Sequence, residues 1–150
     1  MEIETTRFGT LRVPEDQVID MACGILGFPE DRRYVLFNHQ EGSPFFWLQS
    51  LDHGALAFAV IDPFLVQPDY ELRLSPEDIA LLQVEQGKGA LREVQPLAIV
   101  NISREEPRMI TANLLGPVVI NRGKRIAKQI VLDPQSYSHR FPIPLAKDKK

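Results

Sequence analysis

Chain breakers set the strongest limit on this sequence. Twelve prolines and nine glycines punctuate 150 residues. Proline removes a backbone donor and interrupts helices, and glycine favours turns. Few intervals are left for a long helix, so the chain is expected to form many short strands joined by turns. Its length is that of one ordinary domain and suffices for a full apolar core. One domain is expected over residues 1–145, with 146–150, rich in lysine, forming a charged, disordered tail.

The strand signals follow in order. Met1 to Thr5 alternates, Gly9 supplies a turn, and Thr10 to Val13 closes a hairpin. A loop is expected from Glu15 to Asp31. Arg33 to Asn38, Pro44 to Leu51 and Ala55 to Ile61 are β-prone runs, the last apolar enough to be buried on both faces. Ser75, Pro76, Glu77 and Asp78 together mark a helix start, with Ile79, Leu81 and Leu82 as its apolar stripe. Gly87-Lys88-Gly89 reads as a mobile loop after that helix. Further strands are expected at Leu97 to Ile102, Met109 to Leu114, Val118 to Asn121 and Arg125 to Leu132. In the last, Ile126, Ile130 and Leu132 are assigned to one side and Lys128 to the other. The expected fold is mainly β: a small barrel or barrel-like sandwich of short antiparallel strands with one or two short helices.

A catalytic reading finds little support. One cysteine (Cys23) and three scattered histidines (His39, His53, His139) offer no metal-ligand spacing, so no metal and no cofactor is expected. Ser50, Asp52 and His53 lie close in sequence, but no nucleophile-elbow pattern surrounds them, and a polar turn is the simpler reading. The net charge of -3 argues against direct nucleic-acid binding, which draws on a basic surplus. No apolar run is long enough for a membrane helix. A lone cysteine and no recognisable signal peptide point to the cytoplasm.

Several stretches in fixed order resemble the flagellar assembly factor family, FliW. They are Arg7-Phe8-Gly9, Gly24-Ile25-Leu26-Gly27-Phe28, Ser43 through Ser50, Phe58 through Pro63, Ile110 through Pro117, Ile120-Asn121, Gln129 through Leu132, and Tyr137 through Arg140. The resemblance implies a small, mainly β, non-enzymatic cytoplasmic protein. It also implies two protein partners. Flagellin is bound before export. The carbon-storage-regulator protein, a small basic RNA-binding repressor of flagellin translation, is bound and antagonised when the assembly factor is free.

The residues themselves suggest where partners could touch. Phe45 and Trp47 share a strand face, and one is expected to be an exposed aromatic anchor, with Phe46 pointing the other way. Gln49, Asn113 and Asn121 are candidate partner contacts, the two asparagines weighed against a role inside a turn and Gln49, a polar residue in an apolar strand, against an internal hydrogen bond. Glu15, Asp16, Glu105 and Glu106 are candidates for an acidic face that steers a basic partner. The competing reading is a small-ligand-binding or hydrolytic β-barrel with an acidic pocket, built on Ser50, His53 and Asp62.

Overall fold

The computed structural model describes residues 1–84, 93–103 and 109–143. Gly87-Lys88-Gly89, Glu105, Glu106 and the 146–150 tail lie outside the described residues. Eleven strands occur among those described: β1 Glu2–Thr5, β2 Gly9–Arg12, β3 Ile19–Met21, β4 Arg33–Phe37, β5 Phe45–Ser50, β6 Ala57–Ile61, β7 Val94–Ile102, β8 Ile110–Ala112, β9 Val118–Asn121, β10 Ile126–Gln129 and β11 Phe141–Pro142. Two helices are described, α1 Pro63–Val66 and α2 Pro76–Leu81.

Seven strands close on themselves in the order β3-β4-β5-β6-β7-β9-β10, with β10 returning to β3. An odd number of strands cannot alternate in direction all the way round. One neighbouring pair must be parallel, and here it is β3 with β10 (Ile126↔Asp20, Ala127↔Met21). The small, mainly β barrel expected from the sequence is present, and this one parallel pair is the exception among its antiparallel strands. The structure corrects the reading of residues 15–31 as loop, since β3 lies within them after a 3-10 turn at Glu15–Gln17. We call the end where β3 begins the lower end and the end where it finishes the upper end.

The barrel is filled from every strand. Ile19, Met21, Tyr34, Leu48, Val60, Leu97, Val118, Ile120 and Ala127 form one buried cluster. Three further clusters cover the outside. The β1–β2 hairpin lays Ile3 and Leu11 over Val35, Leu51 and Phe37. Helix α2 and its flanks cover Val119, Val94 and Ile130. Tyr70 and β11 cover Ile61, Ala98 and Val100. The Ala57–Ile61 strand is accordingly buried on both faces at Val60 and Ile61, while Ala57 to Ala59 are half-buried.

Strand β7 starts three residues earlier than its apolar run implied and carries Pro96 inside it. Residues 94–97 are laddered only to β9, because β6 pairs with β7 at Ala98 and Ile99, so the missing proline donor falls on the unladdered side. Its C-terminal half leaves the barrel to pair with β8, which β11 extends. The Gly116-Pro117 turn therefore does not close a hairpin. It carries the chain from β8 to β9, which pair with different halves of β7.

The α2 start is built as its residues dictate. Ser75 Oγ accepts from Asp78 N at 3.0 Å, and Asp78 Oδ2 accepts from Ser75 N at 3.3 Å, a reciprocal capping box. Lys128 Nζ also donates to Asp78 Oδ1 at 2.6 Å. Lys128 thus lies on the same, outer face of β10 as Ile126, not on the opposite one. Side chains alternate with period two, so positions 126, 128 and 130 share a face. The ammonium is tolerated there because α2 brings a carboxylate over it.

Candidate partner-binding surface

Strand β5 sorts its aromatic run by parity. Phe45, Trp47 and Gln49 point outward; Phe46 and Leu48 point into the barrel. Phe45 is half-buried against the Ile61, Ala98 and Val100 cluster. Trp47 is partly covered by the hairpin turn, with the Phe8 ring edge-on at 5.4 Å and the Arg7 guanidinium 4.6 Å over its face. The more open aromatic is Phe46, 36% exposed although it faces inward, because it sits at the lower mouth of the barrel. Alternation predicted which aromatics share a face; it did not reveal that a hairpin covers the outer one and that, among the described residues, nothing caps the inner one.

The amide candidates are internal. Gln49 is fully buried and its Nε2 lies within 2.9–3.1 Å of the carbonyls of Ser50, Gly54 and Leu56, so it ties the β5–β6 turn. Asn121 is 2% exposed; its Nδ2 donates to Leu82 O at 2.8 Å, and its Oδ1 accepts from Gly123 N and Lys124 N. It locks α2's end to the β9–β10 turn. Asn113 Oδ1 accepts from Leu115 N and Gly116 N, an Asx-type turn. Neither Gln49 nor Asn121 has surface to offer a partner, which corrects their candidacy.

Of the acidic candidates, only Glu15 and Asp16 fall within the described residues. Glu15 and Asp16 are exposed on the 3-10 turn that leads into β3 at the lower end. Glu105 and Glu106 lie outside the described residues. Arg125 Nη2 donates to Gln17 O at 3.1 Å, which sets a cation beside the first pair.

The suspects for a hydrolytic site are likewise dispersed. Ser50 is fully buried, its Oγ accepting from Asp52 N at 3.1 Å and His53 N at 2.9 Å. His53 Nδ1 lies 2.5 Å from Asp31 Oδ1 and pins the β3–β4 loop to the β5–β6 turn. Asp52 does the same through Arg32 N, Arg33 N and the Arg33 guanidinium. Burial opposes ionisation of Asp52, but these donors outweigh it and hold the carboxyl below the usual carboxylate range. Asp62 stands at the other end of β6, where its Oδ1 accepts from Phe64 N at 2.9 Å and caps α1. Among the described residues, no three His, Cys, Asp or Glu side chains converge as a metal site would require.

Among the described residues, apolar side chains are left exposed at both ends of the barrel. At the upper end, the tight turn Ile25 to Phe28 presents Leu26, 84% exposed, with its N–H held by Gln129 Oε1 at 2.8 Å. Gln129 Nε2 in turn donates to Gly116 O at 2.8 Å, so one amide fixes two turns. At the lower end, Leu36, Phe46 and Leu97 floor a hollow of about 390 Å³, with Leu65 of α1 at its edge. It adjoins a second hollow of about 690 Å³ between Phe64, Tyr70, Val94 and Pro96, and Asp62, Gln95 and Arg122 line both. No sequence reading singled out Leu26, Phe64 or Leu65; apolar residues in turns look like core until the fold leaves them uncovered.

Comparison with known proteins agrees with this architecture. The family model described as FliW protein matches residues 2–143. A relative from Syntrophus aciditrophicus, named Flagellar assembly factor FliW, is 43% identical over 143 residues, 95% of this chain and 87% of the relative. One of the same name from Geobacter sulfurreducens is 40% identical over 143 residues, covering 95% and 86%. The solved crystal structure of a flagellar assembly factor FliW superposes with a TM-score of 0.82 at 31% identity, covering 95% of this chain and 96% of that one. The class so defined is a small closed β-barrel, shared along nearly its whole length with proteins named as assembly factors. The chain belongs to the FliW family.

Proposed function

We propose that this chain is a non-enzymatic flagellar assembly factor that works by partner exchange. It binds flagellin before export. When flagellin leaves, the freed protein binds the carbon-storage-regulator repressor and takes it off the flagellin message. The site of action is the cytoplasm, where both partners are made. The observation that carries this reading is the family match along residues 2–143. The described surface supports it: a barrel interior packed with aliphatic and aromatic side chains, and apolar residues left uncovered at both ends, as a protein-binding module requires. Exchange needs no chemistry, only a difference in free energy between the two complexes.

The test is competition with purified components. A preformed complex of this chain with the repressor is titrated with flagellin, and free repressor is read by its RNA binding. Release of repressor in step with flagellin added is the expected result. Failure of the chain to bind either protein at micromolar concentration refutes the reading.

A further inference from the structure

The turn of the β1–β2 hairpin carries an inference that rests on the partner-binding reading above. Its residues, Arg7-Phe8-Gly9, are the first stretch that resembles the family, and packing accounts for only two of them. Phe8 seals the hairpin onto the barrel: its ring meets Phe37 edge-on at 4.8 Å and Trp47 edge-on at 5.4 Å. Gly9 takes the positive φ of 68° that the turn requires. Arg7 is exposed, and its guanidinium lies 4.6 Å above the Trp47 ring.

The turn is held rigid. Thr5, buried at its base, donates from Oγ1 to Gly9 O at 2.7 Å and accepts from Phe8 N at 2.9 Å. Thr6 N donates to Gly54 O at 3.1 Å and ties the turn to the barrel. Stacking on Trp47 fixes the guanidinium plane and leaves its N–H edge to solvent. The hairpin's own acids are engaged elsewhere: Glu2 pairs with Arg12, and Glu4 accepts from Thr10 Oγ1 at 2.8 Å. Among the described residues no carboxylate pairs with Arg7, whereas Arg12, Arg33 and Arg73 each have one. His39 also meets Phe8, at 4.8 Å between ring centroids; it is exposed, and its ring nitrogens have no hydrogen-bond partner among the described residues. Glu41, two residues further on, is exposed and pairs with neither.

This arrangement fits one chemistry. A fixed guanidinium and an imidazole N–H, both without acceptors, border two half-buried rings, Phe8 and Trp47. A carboxylate can take two parallel hydrogen bonds from the guanidinium while the apolar stem that bears it covers the rings. The net charge of -3 disfavours a phosphate backbone as the occupant. Of the two partners proposed above, the basic repressor gains least from a cationic spot. We propose that the hairpin turn is a carboxylate-recognition site for flagellin, in which Arg7 takes an Asp or Glu side chain of flagellin beside His39, and Phe8 and Trp47 take its stem. The pair forms at close range and loses water in the complex, so its removal speeds dissociation more than it slows association.

The experiment measures association and dissociation of purified flagellin and of purified repressor with the full-length chain and four variants. Arg7→Met keeps a long stem over Trp47 and removes the N–H groups. Arg7→Lys keeps the charge and removes the fork, and Arg7→Glu reverses the charge. Arg12→Met, at the other end of the same hairpin, removes an equal charge and is the control. Melting temperature and the emission of Trp47, the chain's only tryptophan, report whether the turn stays packed. Arg7→Met is expected to melt close to wild type and to weaken flagellin binding about tenfold, Arg7→Lys less and Arg7→Glu more, with repressor binding unchanged. Arg12→Met is expected to leave both partners unchanged. Flagellin binding at wild-type strength by Arg7→Met and Arg7→Glu overturns the proposal, as does an equal loss in Arg12→Met or a loss of repressor instead. If the unmodified chain binds flagellin and the Arg7 variants bind it equally, the site alone fails; if the unmodified chain binds no flagellin, the assembly-factor reading fails and the site with it.

Discussion

The contact between Asp78 and Lys128 predicts a measurable coupling between helix α2 and the barrel. The two side chains are 10% and 27% exposed, and their atoms meet at 2.6 Å. A fully exposed pair contributes about 0–1 kcal/mol, and breaking a buried one costs about 3–5 kcal/mol. Partial exposure places this pair between, at about 2 kcal/mol. Asp78 also accepts from Ser75 N, half of the capping box, which adds about 0.5 kcal/mol. Asp78→Ala should therefore destabilise by about 2–3 kcal/mol, or roughly 5–10 °C in Tm for a chain of this size. Lys128→Ala should cost less, since Ser75 remains to hold the carboxylate. Burial opposes ionisation of Asp78, but Lys128 and Ser75 outweigh it and keep the carboxyl below its ordinary range; the Asp78 hydrogen bond raises Lys128. The Asp78 contribution is thus present above about pH 4 and is lost as pH falls through the lowered value. The Lys128 contribution is present below about pH 10.5 and is lost as pH rises beyond it. The assay is urea unfolding of both single variants and the double variant, at pH 7 and pH 3. The coupling at pH 7 should be about 1–2 kcal/mol and shrink at pH 3. A coupling below about 0.3 kcal/mol at pH 7 would refute the reasoning and make Lys128 a solvated surface lysine.

Three more outcomes are expected. Gly54→Ala would place a Cβ 2.0 Å from the Glu4 carbonyl oxygen, so the N-terminal hairpin should lift from the barrel; hydrogen exchange should show lost protection in residues 2–12, with a stability loss of about 1–3 kcal/mol. Gln49→Leu should cost about 1–2 kcal/mol by removing the amide donor of the Ser50 carbonyl, since Thr6 N and Ser50 N still donate to the Gly54 and Leu56 carbonyls, while the folded fraction binds partners normally, as thermal melting and binding isotherms on the same sample will show. Repressor association should slow as salt rises and on reversal of Glu15 and Asp16, whereas flagellin association should respond less; stopped-flow traces with equal salt slopes would remove these residues from the steering argument.

Local chemistry made much of the fold legible. The breakers set short elements; Ser75, Pro76 and Asp78 announced α2; alternation in Phe45-Phe46-Trp47 predicted which rings share a face. These signals act over a few residues, through missing donors, caps and side-chain direction, so they survive without knowledge of the rest of the chain. What the sequence could not show depends on contacts between segments far apart. Strand β3 is three residues around a charged Asp20, and it is a strand because β4 and β10 flank it, the latter about a hundred residues later. Closure with seven strands forces that pair to be parallel, a condition on the whole ring that no single segment carries. Gln49 and Asn121 look like available amides until the fold buries them. Trp47 looks like an anchor until Phe8 and Arg7 cover it, and Phe46 looks like core until the barrel ends beneath it. Burial is decided by which distant segment arrives on top, and in this protein that is the work of the hairpin, the α2 cap and the unfilled lower mouth.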